Sequence, residues 1–232
     1  MNHLITFAEA QTLIENFVNH PILGDIALNK AVSGTIDKNS FQTQEEPKPG
    51  LWSGKMAWYC WDTNSPYVYH SFFLAFEQFN NYNSNAAPGQ PEHLELQIAN
   101  KQHTFTPGQS VGDMLLNEQH ALLNPINFKL SRAVVNSCVQ SFGTDFPKDQ
   151  SNAPFNTHPF GFFNNNSPSG GGQSEWEAFI GQPGLVAIRY YFGFDGSETT
   201  NKIRVILVGV NGSGKNMLSN ASSDLILERC EP

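Results

Sequence analysis

Near the N-terminus Ala10, Leu13, Ile14, Phe17 and Val18 recur at three- and four-residue spacing, the pattern of a helix with one buried stripe. Thr6 with Glu9 three residues later forms a capping-box signature at its start, and Pro21 after His20 predicts its end. Residues 22–33 predict a second short helix before Gly34. From Thr35 to Lys55 the prolines, glycines and amides predict mostly loop. The run MAWYCW from Met56 to Trp61 reads as a buried strand or as the entry to the next helix. Ser65-Pro66 predicts a helix opening that continues to about Phe79, with Phe72, Phe73, Phe76 and Phe79 on one face. Leu94, Leu96 and Ile98 alternate with Glu95, Gln97 and Ala99, the pattern of a half-buried strand, and Pro107-Gly108 breaks it.

Ser110 with Asp113 predicts another helix start, burying Met114, Leu115 and Leu122. A helix from Phe128 to Phe142 follows, with Leu130, Val134, Val135 and Cys138 turned inward. Residues 143–173 are the most irregular, yet they hold Phe155, Phe160, Phe162 and Phe163. That aromatic content predicts an ordered loop packed on the body or on a partner. Ser174 and Glu177 form a capping-box signature for a short helix carrying Trp176, Phe179 and Ile180. LVAIRYYFGFDG and KIRVILVGVNG then read as an antiparallel hairpin, and Leu225 to Leu227 as a last strand. The fold class expected is α+β: several short helices packed on a small antiparallel sheet with a C-terminal β-hairpin. It forms one domain over residues 1–232 with an irregular aromatic loop at 143–173.

Composition narrows the function classes. The 232 residues include 13 basic and 21 acidic side chains, a formal charge of −8, which argues against nucleic acid as a partner. No 18-residue apolar run occurs, so no membrane partner is expected. The start, Met1-Asn2-His3-Leu4, lacks the basic flank and apolar stretch of a secretory signal, which predicts a cytoplasmic protein. Cys60, Cys138 and Cys230 are odd in number and widely spaced, predicting reduced thiols.

The segment GVNGSGKN, Gly209 to Asn216, has the Gly-four-residues-Gly-Lys spacing of a phosphate-binding loop. The next position, where a hydroxyl would ligate magnesium, is Asn216, and the following NMLSNASS is a poor helix. Asn211-Gly212 is a strong tight-turn pair, so a hairpin turn is the preferred reading. RYYFGFDG, KIRVILVGVNGSGKN and DLILERCEP together resemble the ending of uncharacterised small proteins of Bacteroidota. The resemblance spans less than a quarter of the chain and implies no activity.

Cys60-Trp61 is similar to the Cys-Trp pair at the helix start of papain-like peptidases. A thiol nucleophile needs an imidazole base and a polar orienter, and His158 and Asn164 supply those types downstream. None of the seven histidines forms a zinc-type motif. His93 with Glu95, or Glu118 with His120, would present two ligands on one face if extended. The expected helix around Glu118 and His120 would instead splay them, so no metal site and no cofactor are predicted. The resulting expectation is a noncatalytic protein- or small-ligand-binding module, with Trp52, Trp58, Trp61 and Phe160 as contact residues. The alternative is a cysteine hydrolase using Cys60, His158 and Asn164.

Overall fold

In a computed structural model of the chain, the structure describes residues 3–29, 33–37, 55–61, 73–79, 93–98, 100–122, 126–131, 160–164, 175–196, 203–221 and 223–229. The fold is α+β. Its elements in chain order are β1 (His3–Ile5), α1 (Phe7–Asn19), α2 (Leu23–Asn29), β2 (Ser33–Asp37), β3 (Lys55–Trp61), β4 (Phe73–Phe79), β5 (His93–Ile98) and β6 (Asn100–His103). They continue with α3 (Val111–Asn117), β7 (Ile126–Ser131), β8 (Phe160–Asn164), α4 (Glu175–Ile180), β9 (Ala187–Phe194), β10 (Ile203–Val210) and β11 (Ile226–Arg229). One sheet runs in the order β1-β11-β10-β9-β2-β6 and the other in the order β7-β5-β4-β3-β8, and every paired neighbour is antiparallel. No helix among the described residues is long and apolar enough to cross a membrane.

The helix starts behave as their sequences dictate. Thr6 caps α1 by accepting from the Glu9 amide at 3.2 Å, while Glu9 Oε2 accepts from the Thr6 amide at 2.7 Å, closing the capping box. Phe7, Ala10, Ile14 and Phe17 form the buried stripe of α1, and Phe17 stacks on Phe192 with ring centroids 5.9 Å apart. The His20 ring ends α1 and starts α2 by accepting from the amides of Ile22 and Leu23 at its Nδ1. Ser110 caps α3 through the Asp113 amide, and Trp176 and Phe179 bury one side of α4.

The C-terminal hairpin forms as its pattern predicts. β9 and β10 pair over eight positions, with Tyr190 opposite Leu207 and Phe192 opposite Val205. All eight residues of β9 are buried, so both of its faces are covered. That run includes Arg189, which the surrounding sequence would place in an apolar environment.

Four readings change. The helix expected up to Phe79 is strand β4 over its described part, because β3 and β5 pair with it on both edges and sheet pairing overrides helical phenylalanine spacing. Residues 126–131, where a helix was expected from Phe128, form β7 along the whole length of β5. Ile126, Phe128 and Leu130 alternate there with Asn127, Lys129 and Ser131. Ser33–Asp37, expected as loop beyond Gly34, is a strand held between β9 and β6. Phe160–Asn164, inside the stretch read as irregular, forms an edge strand on β3. The remainder of the two expected helices and of the 143–173 loop lies outside the described residues.

Candidate functional site

Beneath one face of β9 is a buried polar network, and it begins with a charge in an apolar strand. Arg189 is fully buried and donates from Nε to Thr35 Oγ1 at 3.1 Å, from Nη1 to Asn216 Oδ1 at 2.5 Å and from Nη2 to the Gly214 carbonyl at 2.9 Å. Asn216 in turn donates from Nδ2 to the Leu115 carbonyl at 2.9 Å and to the Tyr191 hydroxyl at 2.7 Å. Tyr191 passes the chain on, donating its O–H to Glu118 Oε2. Burial, and then the adjacent Glu118, push the phenol well above its ordinary 10.0, which keeps that proton on the oxygen.

Glu118 closes α3 as its C-cap, with φ −61° and ψ 124°, so the chain leaves the helix extended. Its side chain is 3% exposed, and its second oxygen, Oε1, faces two imidazoles. His120 Nε2 stands 2.9 Å from Oε1 and His103 Nδ1 stands 3.6 Å from it. The expected helix through Glu118 and His120 is thereby corrected: extended backbone puts residues two apart on one side, where a helix would have splayed them. Leu122 accordingly lies beyond α3 and is only half-buried.

The extended segment is held by the GVNGSGKN turn. Gln119 and Lys215 form an antiparallel bridge, His120 donates its amide to the Gly214 carbonyl at 3.1 Å, and Gln119 Nε2 donates to the Ser213 carbonyl at 2.9 Å. Asn211 Oδ1 accepts from the amides of Ser213 and Lys215 at 3.0 and 3.1 Å, and the Asn211 carbonyl accepts from the Gly214 amide at 2.9 Å. A phosphate loop needs those amides turned outward. Here they point back into the turn, no helix follows, and the tight-turn reading of Asn211-Gly212 holds.

His103 ends β6, and its ring meets Phe105 edge-on with centroids 4.9 Å apart. Its side chain is 14% exposed, and Nε2 is buried with no hydrogen-bond partner among the described residues. Burial lowers its pKa below the ordinary 6.5, against the opposing pull of Glu118 and Gln109, so the neutral ring is favoured. His120, at 33% exposure, forms the outer wall. The three side chains open onto a pocket of about 500 Å³ whose other walls include Gln109, Asp113, Met114 and Asn117.

Of the residues weighed from the sequence, the Glu118–His120 pair lies at this pocket, whereas the expected contact and hydrolase residues that the structure describes sit on strands β3 and β8. Trp58 sits on β3 opposite Phe76 of β4 and Gly161 of β8, Trp61 opposite Phe73, and Phe160 opposite Tyr59. Cys60 is opposite Leu74, and Asn164 is opposite Lys55, five positions along β3 from Cys60. Trp52 and His158 lie outside the described residues. The signal that pointed elsewhere was the single arginine inside LVAIRYYF. A charge in a strand buried on both sides requires buried acceptors nearby, and following those acceptors leads to Glu118. No protein-family model, no curated protein and no solved structure matches this chain.

Proposed function

We propose that this chain is a noncatalytic small-ligand-binding module whose ligand enters the pocket above Glu118. The observation that carries the reading is the state of that carboxyl group: it is buried, one oxygen is committed to Tyr191, and the other faces two imidazoles at the pocket wall. Polar groups held in place before binding need not be ordered by the ligand, which lowers the entropic penalty of association. The pocket volume of about 500 Å³ lies within the range of ~300–1,000 Å³ typical of small-molecule sites. Met114 supplies an apolar wall beside Asp113 and Asn117, a mixture suited to a small polar molecule.

Amide chemical shifts recorded while adding a panel of small amines, alcohols and carboxylic acids test the reading. Binding at the pocket moves the amides of Asp113 and of Glu118 to His120, and His120→Ala weakens the response. Ligands that move only amides distant from α3 and the 118–120 segment, or none at all, refute it.

A further inference from the structure

We propose that His103, Glu118 and His120 form a binding site for a divalent transition-metal cation of the zinc type, with at least one coordination position open to the pocket. The inference rests on reading that pocket as a ligand site and names the ligand class. One ligand atom from each of the three residues lies within 4.8 Å of the other two. In a tetrahedral site with metal–ligand bonds of about 2.0–2.1 Å, adjacent donor atoms are ~3.3 Å apart. The two distances from Glu118 Oε1, 2.9 Å to His120 Nε2 and 3.6 Å to His103 Nδ1, fall on either side of that value. Shifts of a few tenths of an ångström bring the donors to bonding positions.

The surroundings fit a metal centre better than a simple hydrogen-bonded cluster. His103 is 14% exposed and Glu118 3% exposed, so two of the three donors are held largely out of bulk solvent while His120, at 33%, faces it. The Tyr191 hydroxyl on Glu118 Oε2 is the outer-shell partner that fixes a ligating carboxylate, leaving Oε1 for the cation. Ser33 Oγ approaches the same Oε1 at 3.5 Å. Two imidazole nitrogens with one carboxylate oxygen suit zinc, cobalt, nickel or iron(II), and suit magnesium and calcium poorly because those ions prefer all-oxygen sets. His120 lies at the pocket wall, so water or a small oxygen ligand reaches the remaining position from solvent.

The test uses the full chain freed of metal with a chelator and titrated with zinc chloride by calorimetry, and with cobalt(II) chloride by visible absorption. One equivalent of zinc and a d–d spectrum of low-symmetry cobalt are expected, with no response to magnesium. His120→Ala, at a side chain that is 33% exposed, weakens zinc binding by about 100-fold or more, because one of three protein ligands is lost. His93→Ala, on β5, leaves it unchanged. His103→Ala repeats the loss from the opposite side of the cluster, with far-ultraviolet circular dichroism showing that the variant is folded. Absence of stoichiometric zinc binding, or equal affinity in wild type and His120→Ala, overturns the proposal. If zinc fails to bind while small organic molecules still shift the Glu118–His120 amides, the metal inference falls and the pocket reading stands. If neither zinc nor an organic probe reaches those amides, both fall.

Discussion

Gly212 and Gly214 lie in the same turn, yet alanine at the two positions has opposite expected consequences. Gly214 has φ +79°, and a Cβ there would lie 1.8 Å from the His120 carbonyl oxygen. To reach the 3.0 Å that Cβ contacts require, one backbone must retreat by about 1.2 Å. Left-handed backbone costs a non-glycine residue ~1–2 kcal/mol. The retreat also stretches the bonds that the Gly214 carbonyl accepts from the His120 amide and from Arg189 Nη2, each contributing ~1 kcal/mol. Gly214→Ala is therefore expected to destabilise the chain by about 3 kcal/mol, which for a chain of this length lowers Tm by ~6–12 °C. Gly212 has no positive φ and nothing within 4 Å of a built Cβ, so Gly212→Ala is expected to stay within about 0.5 kcal/mol of wild type. Differential scanning calorimetry of the two variants reads the difference, and amide spectra report whether Gly214→Ala displaces His120. Two variants that melt together, or a Gly214→Ala protein within ~2 °C of wild type, refute the reasoning that this turn is pressed against the 118–120 segment.

Tyr191→Phe removes a buried hydroxyl that serves Glu118 and Asn216 at once, while Asn216 Nδ2 keeps its bond to the Leu115 carbonyl. A loss of about 2–3 kcal/mol is expected, measured as a lower urea midpoint at unchanged m-value, and wild-type stability would contradict the network. Thr6→Ala opens the α1 capping box and is expected to lower stability by ~1 kcal/mol; a thermal shift as large in the Glu9→Ala background would show that the two residues are not coupled. Burial lowers the His20 pKa below its ordinary 6.5, so in the window between those values the unfolded chain binds the proton and the folded chain does not. Its contribution to stability is thus complete above about pH 6.5 and declines as pH falls toward the folded value. Tm measured from pH 7 to 5 is expected to fall less steeply in His20→Asn than in wild type, and parallel profiles would remove His20 as a source.

Elements defined by local chemistry were legible in the sequence. The Thr6–Glu9 box, the Ser110 cap, the alternation of β5 and the β9–β10 hairpin each carry their signal within a few residues, and each forms as read. The strands at 73–79 and 126–131 were misread because phenylalanine at positions 73, 76 and 79 fits helical spacing, while INFKLS is a six-residue alternation easily absorbed into a longer helix. Their state is decided by partners far along the chain, and sequence separation hides that information. The pocket was hidden for the same reason. Glu118 and His120 were recognisable as a ligand pair, and only the assumed continuation of α3 dismissed them. That helix ends at Asn117 because Gln119 is bridged to Lys215, a residue almost a hundred positions later.

The phosphate-loop lookalike and the His-Glu cluster are parts of one construction. A buried guanidinium and a buried carboxyl group do not by themselves favour the folded state: well-packed apolar replacements of such pairs are commonly as stable or more so. What Arg189 supplies is position. By bonding the Gly214 carbonyl and the Asn216 side chain together, it fastens the turn to β9. The turn then presses the 118–120 segment into an extended form through the Gln119–Lys215 bridge and the His120 amide. Tyr191, two residues from Arg189 on the same strand, meets Glu118 from the other end of this path. Two side chains of one buried strand thus set both the backbone and the carboxyl group of Glu118. Of the residues that suggested a nucleotide site, Gly214 lets the tight turn approach that segment closely and Lys215 bridges it to Gln119, and the chemistry they support lies across the contact, at the two histidines.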